Sequence, residues 1–166
     1  SNKWVEHNFG KEAKRLGIDP SRIIFAEKLS QSEHLERQKH ADLFIDTFNY
    51  NAHTTASDAL WCGLPIVTKQ GKQFSARVAS SLLAACGLPE LITKNEKEYE
   101  DLIFELATNP IKLKTISLKL SKYNKDKPLF NTKRYTNNFE NGLQKVYDLY
   151  LNGKNPKNIF IEDLEK

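Results

Sequence analysis

Short apolar runs alternate with segments of helical spacing over the first hundred residues of the chain. Four runs of apolar and β-branched residues are typical of short strands, at Arg22–Phe25, Asp42–Asp46, Pro65–Thr68 and Glu90–Thr93. The spacing of apolar positions predicts helices over Trp4–Leu16, Ser32–His40, Thr54–Cys62 and Ser75–Ala85. Three of these helices are followed by a glycine, which is a common helix end. Strands separated by helices predict an α/β fold, a parallel sheet with helices on both faces.

The pattern becomes purely helical after residue 95. Helices are predicted over Glu96–Ala107, Ile111 to about Asn124, and Thr132–Tyr150, followed by a polar tail. The last helix has an apolar face, which either packs on the protein's own sheet or supports self-association. We expect residues 3–130 to form the sheet domain and 131–166 a C-terminal helix and tail. We also expect Ser1-Asn2 to be a tag remnant, and a first strand to precede Trp4.

Composition excludes several classes of protein. The 166 residues are 39% apolar, enough for a core, and 25 basic against 21 acidic residues give a net charge of +4. The lysines are scattered, so no nucleic-acid partner is predicted. Without a signal peptide or an apolar run of ~18 residues, we expect no membrane partner and a cytoplasmic location. Cys62 and Cys86 lie in apolar stretches and are predicted to be small buried hydrophobes.

The loop after Asp46 is the strongest candidate site. In open parallel sheets, ligands bind beyond the carboxyl ends of the strands. Here His53, Thr54 and Thr55 begin a helix, whose free N–H groups and dipole favour an anion such as phosphate. Asp58 lies one turn further along and could accept hydrogen bonds from ribose hydroxyls. The alternative is local capping, because Thr55-Ala56-Ser57-Asp58 fits a capping box.

A weaker candidate lies after the first predicted strand. His34 and Arg37 are three residues apart, so both lie on one face of a helix and could reach the same groove. The alternative is that both are simply solvated on a polar helix. The sequence contains no Gly-rich phosphate loop, no nucleophile elbow and no metal-ligand spacing.

The segment from Asn51 to Thr68 carries a family resemblance. Its sequence, Asn-Ala-His-Thr-Thr-Ala-Ser-Asp-Ala-Leu-Trp-Cys-Gly-Leu-Pro-Ile-Val-Thr, closely resembles the donor-binding core of the O-linked N-acetylglucosamine transferases and SPINDLY-like proteins, glycosyltransferase family 41. The resemblance extends over roughly residues 18–150. It includes Arg22–Phe25, Glu33-His34, Ala41-Asp42, Ser75–Ala79, Glu98–Glu100 and Pro128–Lys133.

The resemblance implies a GT-B glycosyltransferase with two Rossmann-like halves across a cleft, of which this chain is similar to the C-terminal, nucleotide-sugar-binding half. In the family, the His-Thr-Thr motif holds the donor diphosphate, which implies that role for His53, Thr54 and Thr55. The following aspartate holds the ribose, which implies that role for Asp58. A further phosphate-binding lysine would lie before Trp4. No residue of this chain is assigned a catalytic role, and neither metal nor cofactor is expected.

The resemblance also implies contacts on the base side of the donor. His34 and Arg37 match the family's His-x-x-Arg pair near the uracil, and the backbone of Leu29 would lie against the base edge. Gln31 stands where the best-known relatives have a lysine over the uridine.

Three functions remain open at this point. The first is the donor half of a UDP-sugar transferase that modifies protein serine or threonine, inactive alone because acceptor groups come from the other half and from helical repeats. The second is a relative that uses GDP-fucose or UDP-glucose. The third is a non-catalytic nucleotide-binding or interaction module.

Overall fold

The computed structural model describes residues 2–123 and 127–163. These fall into two compact units, Ser1–Arg37 and Gln38–Lys166. Ser1, the predicted helix end at Asn124 and the last three residues of the tail lie outside the described residues. No helix in the described part combines the length and apolar character needed to cross a membrane.

The smaller unit is built on two helices, α1 (Lys3–Arg15) and α2 (Gln31–Gln38). The Asn2 side chain caps α1 by accepting from Trp4 N at 2.9 Å. At the start of α2, Ser30 and Glu33 form a reciprocal capping box, with Ser30 N donating to Glu33 Oε2 at 3.0 Å and Glu33 N to Ser30 Oγ at 3.4 Å. Hydrogen bonds from the hydroxyl and N–H of Ser30 lower the pKa of Glu33.

The predicted strand at Arg22–Phe25 is wrong. Arg22 ends a 3-10 turn, Pro20–Arg22, and residues 23–25 are not part of any ladder within the described ranges. Ile24 is 87% exposed, and Phe25 packs edge-on against Phe9 of α1 at 6.1 Å between centroids. The β-branched run favours extended backbone, but a strand also requires a hydrogen-bonded neighbour.

The larger unit contains a parallel sheet of three strands in the order β1 (Phe44–Ile45), β2 (Ile66–Lys69), β3 (Ile92–Thr93). Phe44 pairs with Ile66, and Thr68 pairs with Ile92. Five helices in the described ranges accompany the sheet. They are α3 (Thr54–Trp61), α4 (Val78–Ala85), α5 (Glu96–Thr108), α6 (Pro110–Tyr123) and α7 (Thr132–Leu151). Their ends lie within one residue of the predicted ones except at the start of α4. The predicted start at Ser75 is wrong, because Phe74–Ala76 form a separate 3-10 turn before the helix begins at Val78.

The core is centred on β2, where Ile66, Val67 and Thr68 are completely buried. Helices α3, α4 and α5 all contact this strand, and α6 packs against α5. These helices contribute further buried residues, including Ala56, Ala59, Leu60, Leu83, Leu106, Ile116 and Leu120. A central strand covered by helices explains why three consecutive residues of β2 are buried instead of every second one.

Two glycines end the helices that precede β2 and β3. Gly63 (φ +83°) and Gly87 (φ +73°) adopt the left-handed conformation that ends α3 and α4. In each case the next residue donates back into the helix, Leu64 N to Ala59 O and Leu88 N to Leu83 O, both at 2.9 Å. The chain is thereby turned toward β2 and β3.

The two cysteines differ in environment. Cys86 is buried, as predicted, and burial raises the pKa of its thiol to about 11. Cys62, at the end of α3, is only half-buried. Neither thiol forms a disulfide, since both are free.

Helix α7 has no buried residue, so its apolar face does not pack on the sheet. Exposed positions on it are Tyr135, Phe139, Leu143, Val146, Tyr147 and Tyr150. The polar tail lies along this helix, where Arg134 Nε donates to both carboxylate oxygens of Asp163 at 3.0 and 2.9 Å. Self-association through α7 stays a prediction.

Candidate functional site

Asp46 organises the loop that connects β1 to α3. It immediately follows β1, and its side chain is only 3% exposed. One carboxylate oxygen accepts from Ala52 N at 2.7 Å, which closes the loop, and the other accepts from the buried Thr68 hydroxyl at 2.6 Å. A buried carboxylate is tolerated because both of its oxygens accept hydrogen bonds.

Tyr99 of α5 anchors the same residue from the other side. Its hydroxyl donates to the backbone oxygen of Asp46 at 2.5 Å. Burial, and secondly the negative charge of Asp46, raise the pKa of Tyr99 to about 12. Tyr99 therefore stays protonated and continues to donate this bond under ordinary conditions.

A second loop, which follows β2, holds the first one in place. Asn49 O accepts from Gln73 Nε2 at 2.8 Å and from Ser75 Oγ at 3.2 Å, and Asn51 N donates to Ser75 O at 2.8 Å. Both loops leave the carboxyl ends of adjacent parallel strands, where α/β sheets bind their ligands. The site residues thus lie on segments that are fixed to one another.

The N-terminus of α3 is open to an anion. His53 is the N-cap residue but makes no side-chain capping bond, and its backbone oxygen accepts from Ala56 N and Ser57 N, both at 3.1 Å. Thr54 and Thr55 are exposed, and their N–H groups donate to nothing in the described part of the chain. Free N–H groups, two hydroxyls and the positive end of the helix dipole attract negative charge.

A pocket of about 430 Å³ opens over this helix end, lined by residues 44–47 and 50–55. The predicted diphosphate residues His53, Thr54 and Thr55 are all in its wall. Asp58 lies one turn further along α3 and is half-buried. The capping-box alternative does not apply, because α3 starts at Thr54 and Thr55 is already its second residue.

The His53 ring is held by other rings. It stacks on Tyr50, with centroids 4.6 Å apart and planes 15° apart, and meets the edge of Phe74 at 6.2 Å. Its Nε2 atom is buried without a hydrogen-bond partner, as is Oδ1 of Asn51. Sequence reasoning missed Tyr50, Phe74 and Asp46 as site residues. Tyr50 and Phe74 are aromatic residues in polar loops, and this pattern is too common in proteins to identify them as site residues.

The predicted base-side residues belong to the smaller unit. The prediction that His34 and Arg37 lie together is confirmed, since Arg37 Nη2 is 3.1 Å from His34 Nδ1. Arg37 Nη1 also donates to Glu27 O at 2.8 Å, and both side chains are half-buried, so they are not simply solvated. Gln31, the first residue of α2, is exposed, and Leu29 is partly exposed.

Metal binding has no evident basis in the described residues, where no group of three His, Cys, Asp or Glu side chains is placed to hold an ion. The groups that line the pocket for a ligand are hydrogen-bond donors and the N-terminus of α3. A parallel sheet with such a helix end is typical of Rossmann-like nucleotide-binding domains.

The family is shown by comparison with known proteins. The profile of "Glycosyl transferase family 41" matches residues 3–139, and the chain belongs to this family of glycosyltransferases. The probable UDP-N-acetylglucosamine–peptide N-acetylglucosaminyltransferase SEC of Arabidopsis thaliana is 36% identical over 96% of the chain. The enzyme named UDP-N-acetylglucosamine–peptide N-acetylglucosaminyltransferase of Caenorhabditis elegans is 35% identical over 89%. A SPINDLY protein of Petunia hybrida is 29% identical over 92%.

The chain spans only 17% of the Arabidopsis relative and 13% of the C. elegans relative. Among solved structures, a mutant O-GlcNAc transferase of Thermobaculum terrenum superposes with a TM-score of 0.77 at 24% identity. That match covers 88% of this chain and 27% of the other. It confirms the predicted fold class.

Proposed function

We propose that this chain is the donor-binding half of an inverting protein O-glycosyltransferase that uses a UDP-sugar and transfers N-acetylglucosamine to serine or threonine. The open N-terminus of α3, with Thr54 and Thr55 exposed at the pocket, is the observation that carries the proposal. The names of the Arabidopsis and C. elegans relatives support the choice of nucleotide and sugar.

The proposal gives the predicted site residues separate roles. Thr54, Thr55 and their N–H groups bind the diphosphate together with His53, and Asp58 accepts from the ribose hydroxyls. Leu29, Gln31, His34 and Arg37 lie on the smaller unit, and their base-side roles stay predictions. The protein acceptor binds to parts of the enzyme that this chain does not match.

The proposed reaction is a single displacement. The acceptor hydroxyl attacks the anomeric carbon of the sugar, the bond to the diphosphate oxygen breaks, and the acceptor proton leaves to a base outside this chain. Negative charge grows on the departing UDP, where donors aimed at it contribute several kcal/mol each. Because the helix end and hydroxyls meet that charge, the proposal requires neither metal nor cofactor.

Calorimetric titration of this chain with UDP, GDP and uridine tests the proposal. We expect selective UDP binding, even if the Kd is near 1 mM, which corresponds to about −4 kcal/mol. Asp58→Ala should weaken binding about 10- to 100-fold, the value of a hydrogen bond to a charged group, while alanine preserves the helix. Asp101→Ala, an exposed helical aspartate on α5, is the matched control and should bind like the wild type.

Stronger binding of GDP would instead favour the SPINDLY-like alternative that uses GDP-fucose. A folded chain that binds none of the three ligands would contradict the proposal and leave the non-catalytic module. Thr54→Ala and Thr55→Ala should weaken UDP binding more than uridine binding. Equal losses for the two ligands would remove the diphosphate role from these threonines.

A further inference from the structure

The imidazole of His53 has no hydrogen-bond partner among the residues that the structure describes. The side chain makes no capping bond to α3, and Nε2 is buried without a partner. Its neighbours are two aromatic rings, Tyr50 stacked on one face and Phe74 meeting it edge-on. Stacked and edge-to-face rings attract each other beyond their apolar contact, so these two rings set the orientation of the imidazole.

The rings of Tyr50 and Phe74 are exposed, although large aromatic side chains are usually buried. Tyr50 is 65% exposed and Phe74 is 75% exposed, so neither contributes much to the core. Their backbones are nonetheless held firmly. The Thr47 hydroxyl donates to Tyr50 O at 2.5 Å, and the residues on either side of Tyr50 are hydrogen-bonded to the residues on either side of Phe74. The two rings are therefore carried by loops that cannot move apart independently.

The burial of Nε2 determines which edge of the imidazole a ligand meets. His53 lines the pocket at the N-terminus of α3, and because Nε2 is buried, the other ring nitrogen, Nδ1, is the one left to meet a ligand there. A buried N–H without an acceptor costs free energy, and the tautomer with hydrogen on Nδ1 avoids placing such a donor at Nε2. That tautomer presents a donor to an anion, which is the type of group a diphosphate requires.

We propose that Tyr50 and Phe74 are positioning residues that hold the His53 ring with Nε2 buried and Nδ1–H facing the pocket. They act through His53 and need not touch the diphosphate themselves. The inference rests on the proposed function only for the identity of the ligand. The orientation and tautomer of the ring are properties of the chain alone.

Nitrogen NMR of the histidine side chains tests the inference without ligand. The chain has four histidines, and the His53 signals are identified by their loss in His53→Ala. In alkaline buffer we expect wild-type His53 to carry its ring hydrogen on Nδ1 and none on Nε2. Tyr50→Phe, which keeps the ring, should preserve this pattern, whereas Tyr50→Leu and Phe74→Leu should shift it toward a mixture of tautomers.

The matched control is Phe104→Leu, since Phe104 on α5 is 71% exposed and far along the chain from the loop. Because all three aromatic positions are exposed, the variants should keep the wild-type circular dichroism and thermal midpoint. A wild-type His53 protonated on Nε2, or a tautomer unchanged in both Tyr50→Leu and Phe74→Leu, would overturn the inference.

Calorimetry with UDP and uridine separates this inference from the proposed function. If both hold, Tyr50→Leu and Phe74→Leu weaken UDP binding about 2- to 10-fold and leave uridine binding unchanged. Tyr50→Phe, which keeps the ring, binds UDP like the wild type. If wild-type chain binds no UDP while the tautomer still depends on Tyr50 and Phe74, the proposed function fails and the positioning stands. If UDP binds and the tautomer does not respond, the positioning fails and the proposed function stands.

Discussion

Asp46 is the side chain on which the loop between β1 and α3 depends most directly, and its removal should be costly. Asp46→Ala leaves two groups without an acceptor, the N–H of Ala52 and the hydroxyl of Thr68, which is completely buried. An unsatisfied buried donor costs about 1–3 kcal/mol, and the part-buried N–H of Ala52 adds less than the buried hydroxyl, so we expect a loss of about 2–5 kcal/mol in the free energy of unfolding.

Asp46→Asn separates the hydrogen bonds from the charge. The amide keeps the shape, its oxygen can still accept from Ala52 N, and the Thr68 hydroxyl can rotate to accept from the amide nitrogen. The charge assistance is lost and the hydrogen of the Thr68 hydroxyl loses its acceptor, for which we expect about 1–2 kcal/mol, less than for the alanine variant. Asp42→Ala, an exposed aspartate four residues earlier, should change stability by less than about 0.5 kcal/mol.

Urea unfolding followed by circular dichroism measures these differences. If Asp46→Ala does not fold, comparison of Asp46→Asn with Asp42→Ala still decides the matter. An Asp46→Ala loss below about 1 kcal/mol would refute the reasoning, because the buried hydroxyl of Thr68 and the part-buried N–H of Ala52 would then have lost their acceptor without cost. An asparagine variant as unstable as the alanine one would refute it as well.

Two further predictions concern titrating groups. The pKa of Tyr99 is raised from 10.0 to about 12, so its contribution to stability is full below pH 10 and is lost as pH rises to about 12. The stability difference between wild type and Tyr99→Phe should shrink through that window, and a difference independent of pH would contradict the shift. Burial raises the pKa of Cys86 to about 11, so in Cys62→Ser the remaining thiol should react with a disulfide reagent only after unfolding. In Cys86→Ser the half-buried Cys62 should react in the native state, and equal rates would contradict the assignment.

The helices of the larger unit were predictable because their signals are local. Apolar spacing and the glycines at residues 63 and 87 mark the C-terminal ends of α3 and α4 closely, and these features act within a few residues of the chain. The position of the loop after Asp46 follows from the same pattern, since a strand followed by a helix fixes which end of the sheet the loop occupies.

The capping-box pattern in the sequence does not by itself show whether a capping box forms. Ser30-Gln31-Ser32-Glu33 and Thr55-Ala56-Ser57-Asp58 both fit a capping box, and only the first one forms it. The difference lies in where each helix begins, because the reciprocal bonds require the hydroxyl residue to precede the first turn. In α3 that position belongs to His53, which leaves the helix end open to a ligand.

The sequence by itself determined the alternation of strands and helices, the glycine-ended helices and the family motif from His53 to Asp58. Tertiary structure alone decided that residues 23–25 do not form a strand, that Asp46 joins Ala52 to Thr68, and that Tyr50 and Phe74 enclose the His53 ring. The physical reason is the same in each case. Strand pairing, buried hydrogen bonds and ring contacts join residues that are distant along the chain, and such partners are chosen only when the whole core has assembled.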